Sequence, residues 1–243
     1  MPKNWIFRLS LVSILLLSKS LFAQTDVPLS NEDIAKLVNP DQKKWRNLFV
    51  NFGGEFLEEQ AINSVLFQQD IPVIPTNLFY MGLGFSYRNQ EFKDTFEAEL
   101  GFNFTTNEED EFSFGNTYNE VQLQFRYERK FTEIESAFFS AGVQAKYLYA
   151  NLDVYPDETS VQIDELTTSA NNTSIQHQAF FLGPSFSFNW INPNTDRLML
   201  RVILNYDFNL YAGDWSARYG NTINSFSEDA SRYSIRMLIP LYF

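Results

Sequence analysis

The sequence predicts an all-β chain, an eight-stranded antiparallel up-and-down transmembrane β-barrel. Three observations predict it: eight segments alternate apolar and polar residues with period two, their connections alternate short and long, and the last segment is an apolar ladder running to the final Phe. Successive side chains in a strand point to opposite faces, so period two gives each strand one greasy and one polar side. In lipid every backbone polar group needs an internal partner, which strands achieve only by closing into a barrel.

In chain order, residues 1–23 read as a secretory signal, with Lys3 and Arg8 as a basic start, Leu9 to Leu17 as the apolar run and Ala23 as the small residue before the cut. The run falls short of the roughly 20 apolar residues a spanning helix needs. Residues 24–45 are expected to form a periplasmic N-terminal segment, in which Ser30 and Asp33 resemble a capping box and Pro40 ends a helical turn or two. The barrel is expected over 46–243.

Strand one is expected near 46–55, with Leu48, Val50 and Phe52 on one face. Strand two, 78–88, turns Phe79, Met81, Leu83, Phe85 and Tyr87 outward, and strand three, 94–105, sets Phe96, Ala98, Leu100, Phe102 and Phe104 against Glu97, Glu99 and Asn103. Strand four, 118–130, opposes Val121, Leu123, Phe125 and Tyr127 to Glu120, Gln122, Gln124 and Arg126. Strand five is expected over 134–150, strand six over 175–190, and strand seven over 197–211 with Leu198 and Leu200 outward and Arg201, Asn205 and Asp207 inward. Strand eight, 232–243, places Tyr233, Ile235, Met237, Ile239, Leu241 and Phe243 on one face, with Ser234 and Arg236 on the other. Pro184 and Pro240 each remove a ladder donor, so a bulge or irregularity is expected at both.

The connections after strands two, four and six are short (89–93, 131–133 and 191–196), and those after one, three, five and seven are long. Outer-membrane barrels have this layout, with short periplasmic turns and longer outer loops. A soluble sandwich also alternates, but does not confine its long loops to one end.

Composition narrows the function classes. The chain has no Cys, which removes disulfides, thiolate metal sites, cysteine nucleophiles and a lipidated cysteine. Aromatics reach 17%, yet mean hydropathy is slightly negative, as expected when half of every strand faces a polar lumen. The signal carries Lys3, Arg8 and Lys19 and no acid, so removing it leaves 15 basic against 30 acidic residues, a net −15. Phosphate attraction dominates nucleic-acid binding, so nucleic acid is excluded as a partner.

An eight-stranded barrel is just wide enough inside for side chains to fill, whereas open porins use about 16 to 18 strands. The candidate lumen network is Glu97, Glu99, Gln122, Gln124, Arg126, Lys146, Arg201, Asp207 and Arg236, with Glu120 on the same face. Both signs on adjacent strands point to an interlocked salt-bridge plug, because buried charges survive only when paired. The first three outer loops hold twelve acids and no Lys or Arg, and Asn107 to Glu111 lacks the spacing and turn Gly of a calcium loop, so no metal site is expected. Loop one is unusually apolar, and Phe56, Leu57, Ile62, Leu66 and Phe67 make it the candidate partner loop, with a lid over the mouth or packing on lipid as the other options.

On the strand count, the loop alternation and the terminal Tyr242-Phe243, residues 46–243 resemble the small eight-stranded bacterial outer-membrane barrels of the OmpX and OmpA-transmembrane-domain class. The resemblance implies that Phe243, with Leu241 and Ile239 before it, is an assembly signal for the outer-membrane insertion machinery. The aromatic-rich style and the Phe22-Ala23-Gln24 junction resemble Bacteroidota chains, among them barrels of the PorT group linked to type IX secretion. Barrels that modify lipids need a His base beside a Ser nucleophile. The single His, His177, has no Ser two residues away on its face, so no catalytic residue and no cofactor is expected. The leading expectation is a non-enzymatic barrel with a structural or interaction role among outer-membrane lipid and other outer-membrane proteins. A narrow channel or transport accessory stands second, and a lipid-modifying enzyme third.

Overall fold

A ring of antiparallel strands forms because each segment's backbone finds a partner on both sides. A computed structural model of the chain describes residues 44–89, 93–107, 112–156, 173–195, 197–218 and 228–242. All belong to one compact unit, Lys44–Phe243. The expected signal, residues 24–43 of the N-terminal segment, residues 108–111 of loop two and Phe243 lie outside the described residues, as do most of loop three and part of loop four. Lys44 and Trp45, expected before the barrel, already belong to its first strand.

The described elements are β1 (Lys44–Leu57), α1 (Ala61–Gln68), β2 (Asn77–Asn89), β3 (Asp94–Asn107), β4 (Phe114–Ile134), β5 (Ala137–Pro156), β6 (Thr173–Ile191), β7 (Leu198–Ala212), β8 (Ser216–Ala217) and β9 (Arg232–Leu241). Neighbours in sequence pair antiparallel from β1 to β7, β7 pairs β9, and β9 pairs β1 from Leu57↔Arg232 to Leu48↔Leu241. The eight long strands therefore close on themselves, which leaves no sheet edge along the wall. The short β8 adds to the outer end of β6 through Ile175↔Ala217 and Gln176↔Ser216.

Alternation sets the two faces. Phe79, Met81, Leu83, Phe85, Leu100, Phe125, Leu204, Ile235 and Met237 are all exposed on the outside. The residues between them, such as Glu99, Gln124, Asn205 and Arg236, are buried inside. A continuous apolar outer wall around a polar interior is a membrane barrel's inversion of a soluble protein. Two inward glycines make room for the contents: a Cβ on Gly82 would collide with the Glu99 carboxylate, and one on Gly101 with the Tyr80 ring.

Several expectations are corrected. The turn placed at 131–133 lies at Glu135-Ser136, because a bulge between Lys130 and Thr132 lets β4 continue to Ile134. A bulge inserts one residue and breaks the alternation, so the strand reads as ended where it only kinks. Leu198, expected outside, is buried inside while Met199 faces out, because a register shift at Trp190/Ile191 flips the first residues of β7. At Gly183 and Pro184 two residues lack β7 partners between Leu182↔Phe208 and Ser185↔Asn205, an irregularity without a change of register. Pro240 makes no bulge: the β1 ladder runs through it unbroken, and the β7 ladder has already ended at Arg201↔Leu238. Loop one, read as an irregular apolar loop, contains α1, with Ile62 and Leu66 buried four residues apart on one face.

Candidate functional site

The lumen is filled at three levels. At the short-turn end sits an apolar plug of Phe49, Phe138, Ile191, Leu198, Ile203 and Leu238. Arg88 covers it, its guanidinium 4.0 Å from the centre of the Phe138 ring.

The middle level holds six buried carboxylates (Glu55, Glu97, Glu99, Glu120, Glu128, Asp207) and five buried cations (Arg126, Lys146, Arg201, Arg232, Arg236). Lys146 Nζ bridges Glu55 and Asp207, the latter at 2.8 Å. Arg236 lies 3.7 Å from Glu55, donates to Gln124 and stacks 3.8 Å over the Tyr80 ring. Arg126 donates to Glu97 at 2.6 Å and sits 3.7 Å from Glu99. Arg201 joins Glu97 to Glu128, whose carboxylate also accepts hydroxyls from Ser140, Ser185 and Ser187 at 2.5–2.8 Å. Arg232 pairs with Glu120 at 2.7 Å. Neutral groups stitch the pairs together: Asn103 and Gln122 each donate to both Glu55 and Glu120, and Tyr80 donates to Glu99 at 2.7 Å. Burial makes each charge costly alone, so the compensation must be mutual. The result is one connected, nearly neutral block.

At the outer end α1 lies in the barrel mouth. Ile62, Leu66 and Ile74 pack with Tyr118, Leu148, Leu152, Phe181 and Trp215 in a second apolar cluster. The lid is tied on both sides. Asn63 clips Ile74 with two bonds of 2.8 and 3.0 Å, Asn116 donates to the Pro72 carbonyl, and Ser113 donates to Asp70 at 2.7 Å. From loop four, the buried Glu228 carboxylate accepts the N–H groups of Ala61 and Ile62 at 3.0 and 3.3 Å. It replaces the cap that Gln60 does not supply.

All nine candidate lumen residues are buried inside the ring and belong to this one network. Alternation continued by a step or two would have added Glu55, Glu128 and Arg232, which lie on the same faces as the residues it did select. Of the candidate partner loop, Leu57, Ile62 and Leu66 are buried in the lid cluster and Phe56 stacks on Tyr233 at 4.8 Å. Phe67 alone is fully presented, 68% exposed. Ile239 faces outward and Leu241 is half-buried at the end of β9. His177 is buried at the outer end of β6, its Nδ1 2.8 Å from the Gly213 carbonyl and its ring stacked on Trp215 at 5.0 Å. That ring holds loop four to the wall. No group of His, Asp and Glu that could hold a metal is present among the described residues.

No protein-family model matches the chain, and no curated protein matches its sequence. Solved structures are similar in shape. Neisserial surface protein A is 10% identical, with a TM-score of 0.44 over 81% of this chain and 99% of that one. Ail, the attachment invasion locus protein of Yersinia pestis, is 6% identical, with a TM-score of 0.46 over 82% and 99%. A major outer membrane protein from Thermus thermophilus is 8% identical, with a TM-score of 0.44 over 81% and 99%. Likenesses at this level place no ligand, partner or activity on the chain.

Proposed function

We propose that the protein is a closed, non-enzymatic barrel of a bacterial outer membrane, with its long acidic loops outside and a structural or interaction role there. The observation that supports this reading is the continuous filling of the lumen by lid, charged block and apolar plug. A transport path needs a wet line, and a catalytic site needs an accessible cleft. The lumen's charged side chains are instead spent on one another.

The interaction surface in this reading is what the lid leaves outside: Phe67, with Val65 and Val73, each over 40% exposed on loop one. Such a patch fits a neighbouring outer-membrane protein, as in a larger assembly of the kind the PorT resemblance implies. The outer wall contacts lipid, and the insertion machinery handles the barrel during assembly.

Planar-bilayer recording of the refolded barrel tests the closed lumen. The expected trace is silent. Reproducible openings that vanish on Arg126→Gln or Arg201→Gln would overturn the reading and favour a narrow channel. A photoreactive residue placed at position 67 in isolated outer membranes tests the interaction role. The expected result is a discrete adduct that is lost when Val65→Ser and Val73→Ser remove the rest of the patch.

A further inference from the structure

The lipid-facing wall is not evenly filled. Across β3 to β6 one outward row reads Ala98, Phe125, Ala145 and Leu182, and its two alanines leave a dent between larger neighbours. The next row toward the short-turn end is aromatic: Tyr87, Phe96 and Tyr127, with ring centres 6.4 and 5.0 Å apart in succession. The two rows line a groove of about 410 Å³.

The groove ends in charge. Asp94 and Arg129 are register partners on β3 and β4, one step beyond the aromatic row. The Asp94 carboxylate accepts the Tyr127 hydroxyl at 3.0 Å and lies 4.0 Å from Arg129 Nε. The Arg129 side chain is 66% exposed and the Asp94 side chain 18%, so both reach the surface, Arg129 the more openly. An apolar trough, an aromatic shelf and an adjacent plus and minus charge follow one another along the wall. A phospholipid has the same order: acyl chain, ester zone, phosphate and ammonium.

We propose that this groove is a specific site for one phospholipid with a phosphoethanolamine headgroup, its acyl chain over Ala98 and Ala145, its phosphate on Arg129 and its ammonium on Asp94. The proposal rests on the barrel being immersed in lipid. An anionic phosphoglycerol lipid matches Arg129 but offers Asp94, 4.0 Å away, only neutral hydroxyl donors and no positive charge. A phosphocholine lipid carries the positive charge without N–H donors, and so loses the charge-assisted hydrogen bond.

The test is native mass spectrometry of the full chain refolded in detergent doped with equal amounts of phosphoethanolamine, phosphoglycerol and phosphocholine lipids of the same chains. One phosphoethanolamine lipid is expected to survive, retained about fivefold over either competitor, a difference near 1 kcal/mol. Asp94→Asn is expected to erase that preference, and Ala98→Phe with Ala145→Phe to abolish retention. Val202→Phe, elsewhere on the outer wall, is expected to leave it unchanged. The heat-dependent gel shift of a folded barrel verifies each variant. Equal retention of all three lipids, or retention that survives filling the groove, means annular lipid only and overturns the site. A phosphoglycerol preference overturns the headgroup assignment. Failure of the wild-type chain to insert into vesicles would instead strike the membrane reading itself.

Discussion

Each strand of the wall has two sides held by opposite means. On β4, Val121 and Phe125 lie exposed on the outer face, and between them Gln122 and Gln124 are buried in the lumen network. The outer side needs no specific partner, because any acyl chain solvates any apolar side chain. The inner side has no solvent to fall back on, so every charge depends on particular neighbours within the lumen. The two faces should therefore differ in how they fail. The inner face should be brittle at single positions, while the outer face should tolerate any change that stays apolar.

The sharpest way to break this contrast is at Glu55, which meets Lys146, Arg236, Gln122 and Asn103 at once. Glu55→Gln keeps the shape and removes the charge, leaving Lys146 with Asp207 but Arg236 without an ion pair among the described residues. Stranding a buried cation costs about 3–5 kcal/mol, read as a lower urea midpoint for the barrel refolded in vesicles. A loss below about 1 kcal/mol would mean that water already relieves these charges and the inner face is not brittle. Adding Arg236→Met to Glu55→Gln should recover part of the loss, since the orphaned partner then goes too.

The outer face is tested at Leu100, which is 44% exposed in the middle of the outward apolar rows. Leu100→Arg should cost about 2–4 kcal/mol in vesicles, the depth-dependent penalty of a charge at the bilayer midplane. Leu100→Phe should cost far less, because lipid adapts to the new side chain where a packed core does not. A charge tolerated at Leu100 would mean that this wall does not face lipid.

How much of this was legible in the sequence follows from the same contrast. Period two identified both faces of the wall, because each residue's side depends only on its parity along the strand. It failed where parity itself shifts, at the Lys130/Thr132 bulge and at Leu198. Inward charges of both signs on adjacent strands were visible, and Arg126 does meet Glu97 on the next strand. The longer pairs were not: Lys146 on β5 meets Glu55 on β1, and Arg232 on β9 meets Glu120 on β4, across the lumen rather than along the sheet. Loop one's apolar residues were also visible, whereas its helix depends on a carboxylate 167 residues away in sequence. No local pattern carries a contact of that range.

That carboxylate gives the smallest expected effect and the finest division of the inner side. Glu228 caps α1 through Ala61 and Ile62, and its own carbonyl accepts the Asn209 side-chain amide at 3.1 Å. Glu228→Ala should weaken the helix by about 0.5–2 kcal/mol, the usual range for a lost N-cap. The effect should stay local, because Ile62 and Leu66 still anchor α1 in the outer cluster and the charged block below is built from strand residues. Hydrogen exchange should accelerate roughly tenfold over 61–68, as about 1.4 kcal/mol implies, with the amides of β1 and β4 unchanged. Bilayer recordings of the variant should remain silent, since two further levels still fill the lumen. If conductance instead appears with the cap removed, the lid alone closes the barrel. The charged block would then be a wetted passage rather than a plug.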